Sequence, residues 1–60
     1  MEIVIKNKVT KELLQAITPF ILFTDDILKA KTYSTQNSAI PDLKILRKNQ
    51  YSVMIYRIKV

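Results

Sequence analysis

Any chemistry in this 60-residue chain would have to come from 5 Asp and Glu, 10 Lys and Arg, 3 Tyr and a scatter of hydroxyls, because it contains neither His nor Cys. The carboxylates are Glu2, Glu12, Asp25, Asp26 and Asp42. Only Asp25 and Asp26 are adjacent, and neighbours in a helix do not face each other. A hard cation needs more oxygen ligands than that, at suitable spacing. No Ser has a plausible base, since there is no His to activate it. These residue types predict no catalytic centre, no metal, no cofactor and no small-molecule substrate. What remains is binding.

The cations fall in three groups: Lys6, Lys8 and Lys11; Lys29 and Lys31; and Lys44, Arg47, Lys48, Arg57 and Lys59. The formal net charge is +5. That balance favours an acidic partner; it also serves solubility in a small Ile-rich protein. Only the third group is dense enough to form a patch.

The elements that would position this patch begin at the C-terminus. Tyr51–Val60 is dense in Val, Ile and Tyr and lacks Gly and Pro, which predicts a strand. Alternate side chains of a strand point to opposite faces. Met54, Tyr56, Ile58 and Val60 share one face; Tyr51, Val53, Ile55, Arg57 and Lys59 share the other. Met1–Lys6 also alternates, with Met1, Ile3 and Ile5 opposite Glu2, Val4 and Lys6. Leu43–Arg47 reads as a third strand, joined to the last by a Lys48-Asn49-Gln50 turn in which Asn49 tolerates a positive φ.

Between the strands the spacing predicts helix. Thr10 can cap it, Glu12 suits its positive end, and Leu13, Leu14, Ile17 and Ile21 recur at helical spacing. Pro19 ends or kinks it near Thr18. Residues 19–31 have two readings. In one, Thr18 caps a second helix with Pro19 at its first position and a Phe20, Phe23, Ile27, Ala30 stripe. In the other, Phe20–Phe23 is a short buried strand, and Thr24 caps a helix that carries Asp25 and Asp26 in its first turn and Lys29 and Lys31 in its last. The first reading fits the apolar spacing better and is preferred. Thr32–Asp42 reads as a loop, since Ser34 to Ser38 cannot build a core and Pro41 blocks helix continuation.

The order strand, one or two helices, strand, strand predicts an α+β fold with a small three-stranded mixed sheet. Tyr51–Val60 lies at its centre, paired parallel to Met1–Lys6 through a right-handed crossover and antiparallel to Leu43–Arg47. Leu13, Leu14, Ile17, Phe20 and Phe23 lid one face. The other face would stay open, displaying Val4, Tyr51, Val53 and Ile55 with Arg47, Arg57 and Lys59 and either Leu43 or Ile45. An open apolar patch rimmed by charge marks an interaction site.

Leu46-Arg47-Lys48-Asn49-Gln50-Tyr51-Ser52-Val53-Met54-Ile55-Tyr56-Arg57-Ile58 resembles the hairpin of RelE/ParE-type toxins, in which a Leu-Arg, a turn and a Tyr-x-Val-x-Tyr-x-Ile run recur. That resemblance implies an RNase cutting ribosome-bound mRNA with Arg, Lys and Tyr, Arg47 among them.

Length bounds the rest. Sixty residues predict a single domain, 1–60, of marginal stability. With no Cys and no His, neither disulfide nor zinc can staple it, so oligomerisation is the remaining common remedy. A homodimer, or a chain ordered by a partner, is expected, with packing through the open face favoured over edge pairing because the edge strands are short. The most apolar window, Leu13 to Phe23, is too short to span a bilayer and holds Gln15 and Pro19, and Glu2 is acidic where a signal peptide is basic; a cytoplasmic, membrane-free protein is expected. Abundant Lys, Ile and Asn with no Gly suggest an AT-rich coding sequence, such as a phage or mobile element. The leading expectation is a small non-enzymatic regulator or inhibitor docking another, acidic protein through Arg47, Tyr51, Val53, Ile55, Arg57 and Lys59. The alternative is nucleic-acid binding, with Tyr51 or Tyr56 stacking on bases and Arg47, Lys48, Arg57 and Lys59 on phosphates. An RNase of the toxin type is the third.

Overall fold

The computed structural model describes residues 2–58. The chain runs β1 (Glu2–Asn7), β2 (Leu13–Ala16), β3 (Leu22–Thr24), α1 (Gln36–Lys48) and β4 (Val53–Ile58). The class is α+β, as the sequence predicts, but the sheet is four-stranded and antiparallel throughout, in the order β3-β2-β1-β4. β4 is therefore an edge strand, not the centre, and it pairs antiparallel with β1.

The first departure lies at residues 10–18. Thr10 does cap, but it caps a turn: its Oγ1 accepts from the Glu12 N–H at 3.2 Å. Upstream, Asn7 Oδ1 accepts from the N–H groups of Val9 and Thr10 at 2.8 and 3.1 Å. Asn7 also donates its own N–H to the Glu12 carbonyl, which closes a hairpin. Leu13 and Leu14 then go to opposite faces of β2 instead of sharing a helical stripe. Leu14 is fully buried in the core, while Leu13 pairs with Lys6 on the far face. Two adjacent leucines fit a helix stripe and a strand with two apolar faces equally well, and pairing with β1 decides for the strand.

Residues 19–31 hold no helix. The short strand of the second reading is present as β3, starting two residues and ending one residue later than expected. It leaves out Phe20, which is exposed and lids neither face. Thr24 Oγ1 accepts from the Asp26 N–H at 3.0 Å, and Asp26 Oδ1 from the Leu28 N–H at 2.9 Å. These side chains satisfy successive turns without starting a helix. The segment then runs back along the sheet. Lys31 donates its N–H to the Leu14 carbonyl, and Tyr33 exchanges two backbone hydrogen bonds with Ile3 at 3.0 and 2.8 Å.

The helix occupies the stretch read as loop plus strand. Thr35, with extended backbone, accepts from the Ser38 N–H at 3.2 Å and caps it. Ala39, Leu43 and Leu46 recur at i, i+4 and i+7 and are the buried stripe. Leu43, Ile45 and Arg47 look alternating only because Ile45 is an exposed apolar residue. Pro41 lies inside the helix and does not stop it. Its missing N–H orphans the Asn37 carbonyl, and Asn37 is exposed, so water can satisfy that group.

The turn into β4 is accordingly a helix end, not a hairpin. The Gln50 N–H reaches the Arg47 carbonyl at 3.0 Å and the Tyr51 N–H reaches the Leu46 carbonyl at 3.0 Å. That pair of bonds is a Schellman cap. The positive φ falls on Gln50, at 70°, not on Asn49, which sits at −90°. The Leu46–Ile58 segment that resembles a toxin hairpin is thus a helix end, a cap and a strand.

One core results. Ile3, Ile5, Leu14, Tyr33, Ala39, Leu43, Leu46 and Val53 pack between α1 and one sheet face, with Ile17, Ile21, Phe23 and Ile55 against them.

Candidate docking surface

Antiparallel partners share a face, so the register Val4↔Tyr56, Ile5↔Ile55, Asn7↔Val53 sorts β4 unambiguously. Val53 and Ile55 fall with Ile3 and Ile5, beneath α1. Val53 is 2% exposed and Ile55 is partly buried against the core. The face expected to stay open is the covered one. The alternation was legible; which parity meets the helix was not. Parallel pairing of the end strands put Val4 with Val53, and the antiparallel register puts Val4 with Tyr56. A one-residue change of parity moves every side chain to the other face.

The remaining expected site residues do not converge. Arg47 and Lys48 are exposed in the last turn of α1. Tyr51 is close by in sequence, 37% exposed, with its ring 5.3 Å from that of Phe23. Arg57 lies at the other end of α1, where its Nη2 donates to Gln36 Oε1 at 3.4 Å. Lys59 lies outside the described residues, as do Met1 and Val60.

The face away from the helix carries a different set. Glu2, Val4 and Lys6 of β1 stand beside Ile58, Tyr56 and Met54 of β4, and Leu13 of β2 beside Lys6 and Thr24. On β3, Leu22 falls on the side opposite Phe23, whose ring packs toward the core. Val4, opposite Tyr56, is fully buried, and Leu13 is nearly so. Around them Leu22, Met54 and Tyr56 remain 48%, 40% and 43% exposed. The Lys6 ammonium stands 4.7 Å from the centroid of the Tyr56 ring, a cation–π contact that fixes the ring over the face. No described helix covers this side.

A second polar cluster ties the return segment to the helix. The Asp42 carboxylate accepts from Lys31 Nζ at 2.8 Å and from the buried Tyr33 hydroxyl. Partial burial pushes the Asp42 carboxyl up, but the hydrogen bonds from Lys31 and Tyr33 and the Lys31 charge outweigh it and hold the group below its usual range. Burial, then the Asp42 hydrogen bond and charge, raise the Tyr33 phenol well above its ordinary value. A phenol held protonated this firmly is a donor, not a base or nucleophile. The cluster is a clamp between residues 31–33 and α1. Among the described residues, no group of His, Cys, Asp and Glu is placed to hold a metal, and no helix is long and apolar enough to cross a membrane.

No family model matches the chain, and neither curated proteins nor solved structures yield a match.

Proposed function

We propose that this chain is a small non-enzymatic binding module that docks on another protein through the sheet face opposite α1. The observation that carries the reading is the display of Leu22, Met54 and Tyr56 around Val4 and Leu13 on a face that no described helix covers. Tyr is enriched in interface hot spots, and Met adapts to irregular partner surfaces. Lys6 and the chain's net charge of +5 favour an acidic rim on the partner. The test is capture from lysate by the wild type, by Leu22→Glu and by Lys44→Glu, with folding checked by circular dichroism. A partner kept by Lys44→Glu and lost by Leu22→Glu supports the face. A partner kept by folded Leu22→Glu removes it.

A second reading rests on α1. Lys44, Arg47 and Lys48 are exposed at i, i+3 and i+4, so three cations share one helix face with Tyr51 beyond its end. That arrangement suits the phosphates of a nucleic acid. Its test is binding of single- and double-stranded DNA and RNA across a salt series. Phosphate binding must weaken steeply with salt. No binding at low salt removes the reading.

A further inference from the structure

The two edges of the sheet are not equivalent. β3 has three residues, and its pairing with β2 is broken by a register shift between Leu14 and Ala16. Short edges and bulges are how sheets keep a second chain from adding on. β4 has six residues, pairs with β1 in one unbroken register, and contains no Pro and a single charge, Arg57. Its outer edge carries none of those guards beyond that one cation.

The hydrogen bonds show which groups that edge presents. Asn7 bonds toward Glu12 and Ile3 toward Tyr33, so the odd residues of β1 point their amides away from β4. Lys8 donates to the Ser52 carbonyl, so the even residues point toward it. Met54, Tyr56 and Ile58 lie opposite the even residues of β1 and spend their amides there. Val53, Ile55 and Arg57 therefore turn their N–H and C=O groups outward. Val53 is buried, which leaves Ile55 and Arg57 as the usable pair.

We infer that a second copy of this chain adds across the β4 edge, antiparallel, on a two-fold axis at Tyr56. Ile55 of one copy then meets Arg57 of the other, and the axis repeats the pair, each exchanging two N–H···O bonds. A two-fold interface must be complementary to itself, and an antiparallel strand edge with a free residue on each side of its axis meets that condition. The same register sets Tyr56 beside Tyr56 of the other copy at a non-hydrogen-bonded position, where side chains come closest. Met54 falls opposite Ile58. Two of the most exposed residues of the open face thus gain an apolar neighbour. Net charge opposes the step, since each copy carries +5. Salt screens that repulsion, so this association strengthens with salt, whereas binding to an acidic protein or to nucleic acid weakens. The inference does not depend on what the open face docks.

Sedimentation velocity from low to high concentration, at 0.05 and 0.5 M salt as order-of-magnitude choices around the screening range, gives the first readout. The expected species has twice the 7.0 kDa of one chain and is favoured at the higher salt. Arg57→Pro removes an outward donor and spares the bonds to β1; it should abolish the dimer, while Arg57→Ala, which keeps the N–H, should retain or tighten it. Hydrogen exchange on the wild type covers the case in which the Pro variant does not fold: the Ile55 and Arg57 amides should gain protection as concentration rises, and the Lys48 amide should not. A wild type that stays monomeric at both salts, a folded Arg57→Pro that still dimerises, or Ile55 and Arg57 amides whose exchange ignores concentration each overturns the inference.

Discussion

Lys11 and Gln50 hold φ of 68° and 70°, the left-handed region that glycine enters freely and other residues enter at a cost. The chain has no Gly, so long polar side chains occupy both positions. Gln50 is the sharper case, because the Schellman cap requires that conformation just there. Replacing it with Gly relieves about 1–2 kcal/mol of left-handed strain against about 0.5–1 kcal/mol of added chain entropy. Gln50→Gly should therefore raise stability by about 0.5–1 kcal/mol, read as a few degrees in Tm by thermal circular dichroism. A lower Tm would mean that the Gln50 side chain contributes more than its backbone costs. Asp42 makes a second prediction at this scale. Its folded pKa lies below its unfolded value, which is about 3.9. Its contribution is therefore present above that value and lost as pH falls through the folded one. The Tyr33 phenol is raised, so its contribution is present below its unfolded value of about 10 and lost as pH climbs beyond it. Urea denaturation from pH 2 to 7, a range bracketing the carboxylate pKa values, should show Asp42→Asn with a lower plateau than the wild type at neutral pH and a shallower acid limb below about pH 4. Equal acid limbs would take the clamp out of the account.

The elements divide into those that local pattern decides and those that pairing decides. β1 and β4 were legible because each is dense in Val and Ile over six residues and contains no Pro. α1 was hidden by its own composition: its first turn is Gln36, Asn37 and Ser38, and Pro41 follows. The signal was present in the Thr35 cap and in the Ala39, Leu43, Leu46 spacing, and weighing Pro41 as a stop obscured it. β2 was not legible, since Leu13 and Leu14 serve a helix stripe or a two-faced strand equally. That ambiguity passed straight to the docking face, because strand number sets which edge β4 takes and which parity meets the helix. Two substitutions check the helix account. Thr35→Ala removes the cap and should cost about 1 kcal/mol. Pro41→Ala restores a donor to the Asn37 carbonyl and should add stability, up to about 3 kcal/mol for a full interior site and less this near the helix start. If Pro41→Ala destabilises, the ring is packing against something that its exposure does not reveal.

At the scale of the whole molecule, charge and core work against each other. Among the described residues a single ion pair, Lys31–Asp42, offsets a chain with 10 Lys and Arg against 5 Asp and Glu. Lys44, Arg47 and Lys48 crowd one helix face. Arg47 and Lys48 do stand in the last turn, at the negative end of the helix dipole, which suits cations, but each of the three also repels its neighbours, by roughly what a helical ion pair gains. A domain of this size has little stability to set against such repulsion. Screening should therefore help the fold. Raising salt from about 0.05 to 0.5 M shortens the Debye length from roughly 14 Å to 4 Å, which removes repulsion between helix cations and across the sheet while leaving the partly buried Asp42 clamp largely intact. Chloride is the salt to use, because sulfate would also strengthen burial and confuse the cause. The measurement belongs at a concentration low enough to keep the chain monomeric, since association would raise Tm by mass action. Under those conditions Tm should rise with salt, and Lys44→Glu, which places an opposite charge beside Arg47 and Lys48, should raise Tm at low salt and flatten its salt dependence. A wild-type Tm that falls with salt would mean that attraction between surface charges outweighs the repulsion among the excess cations.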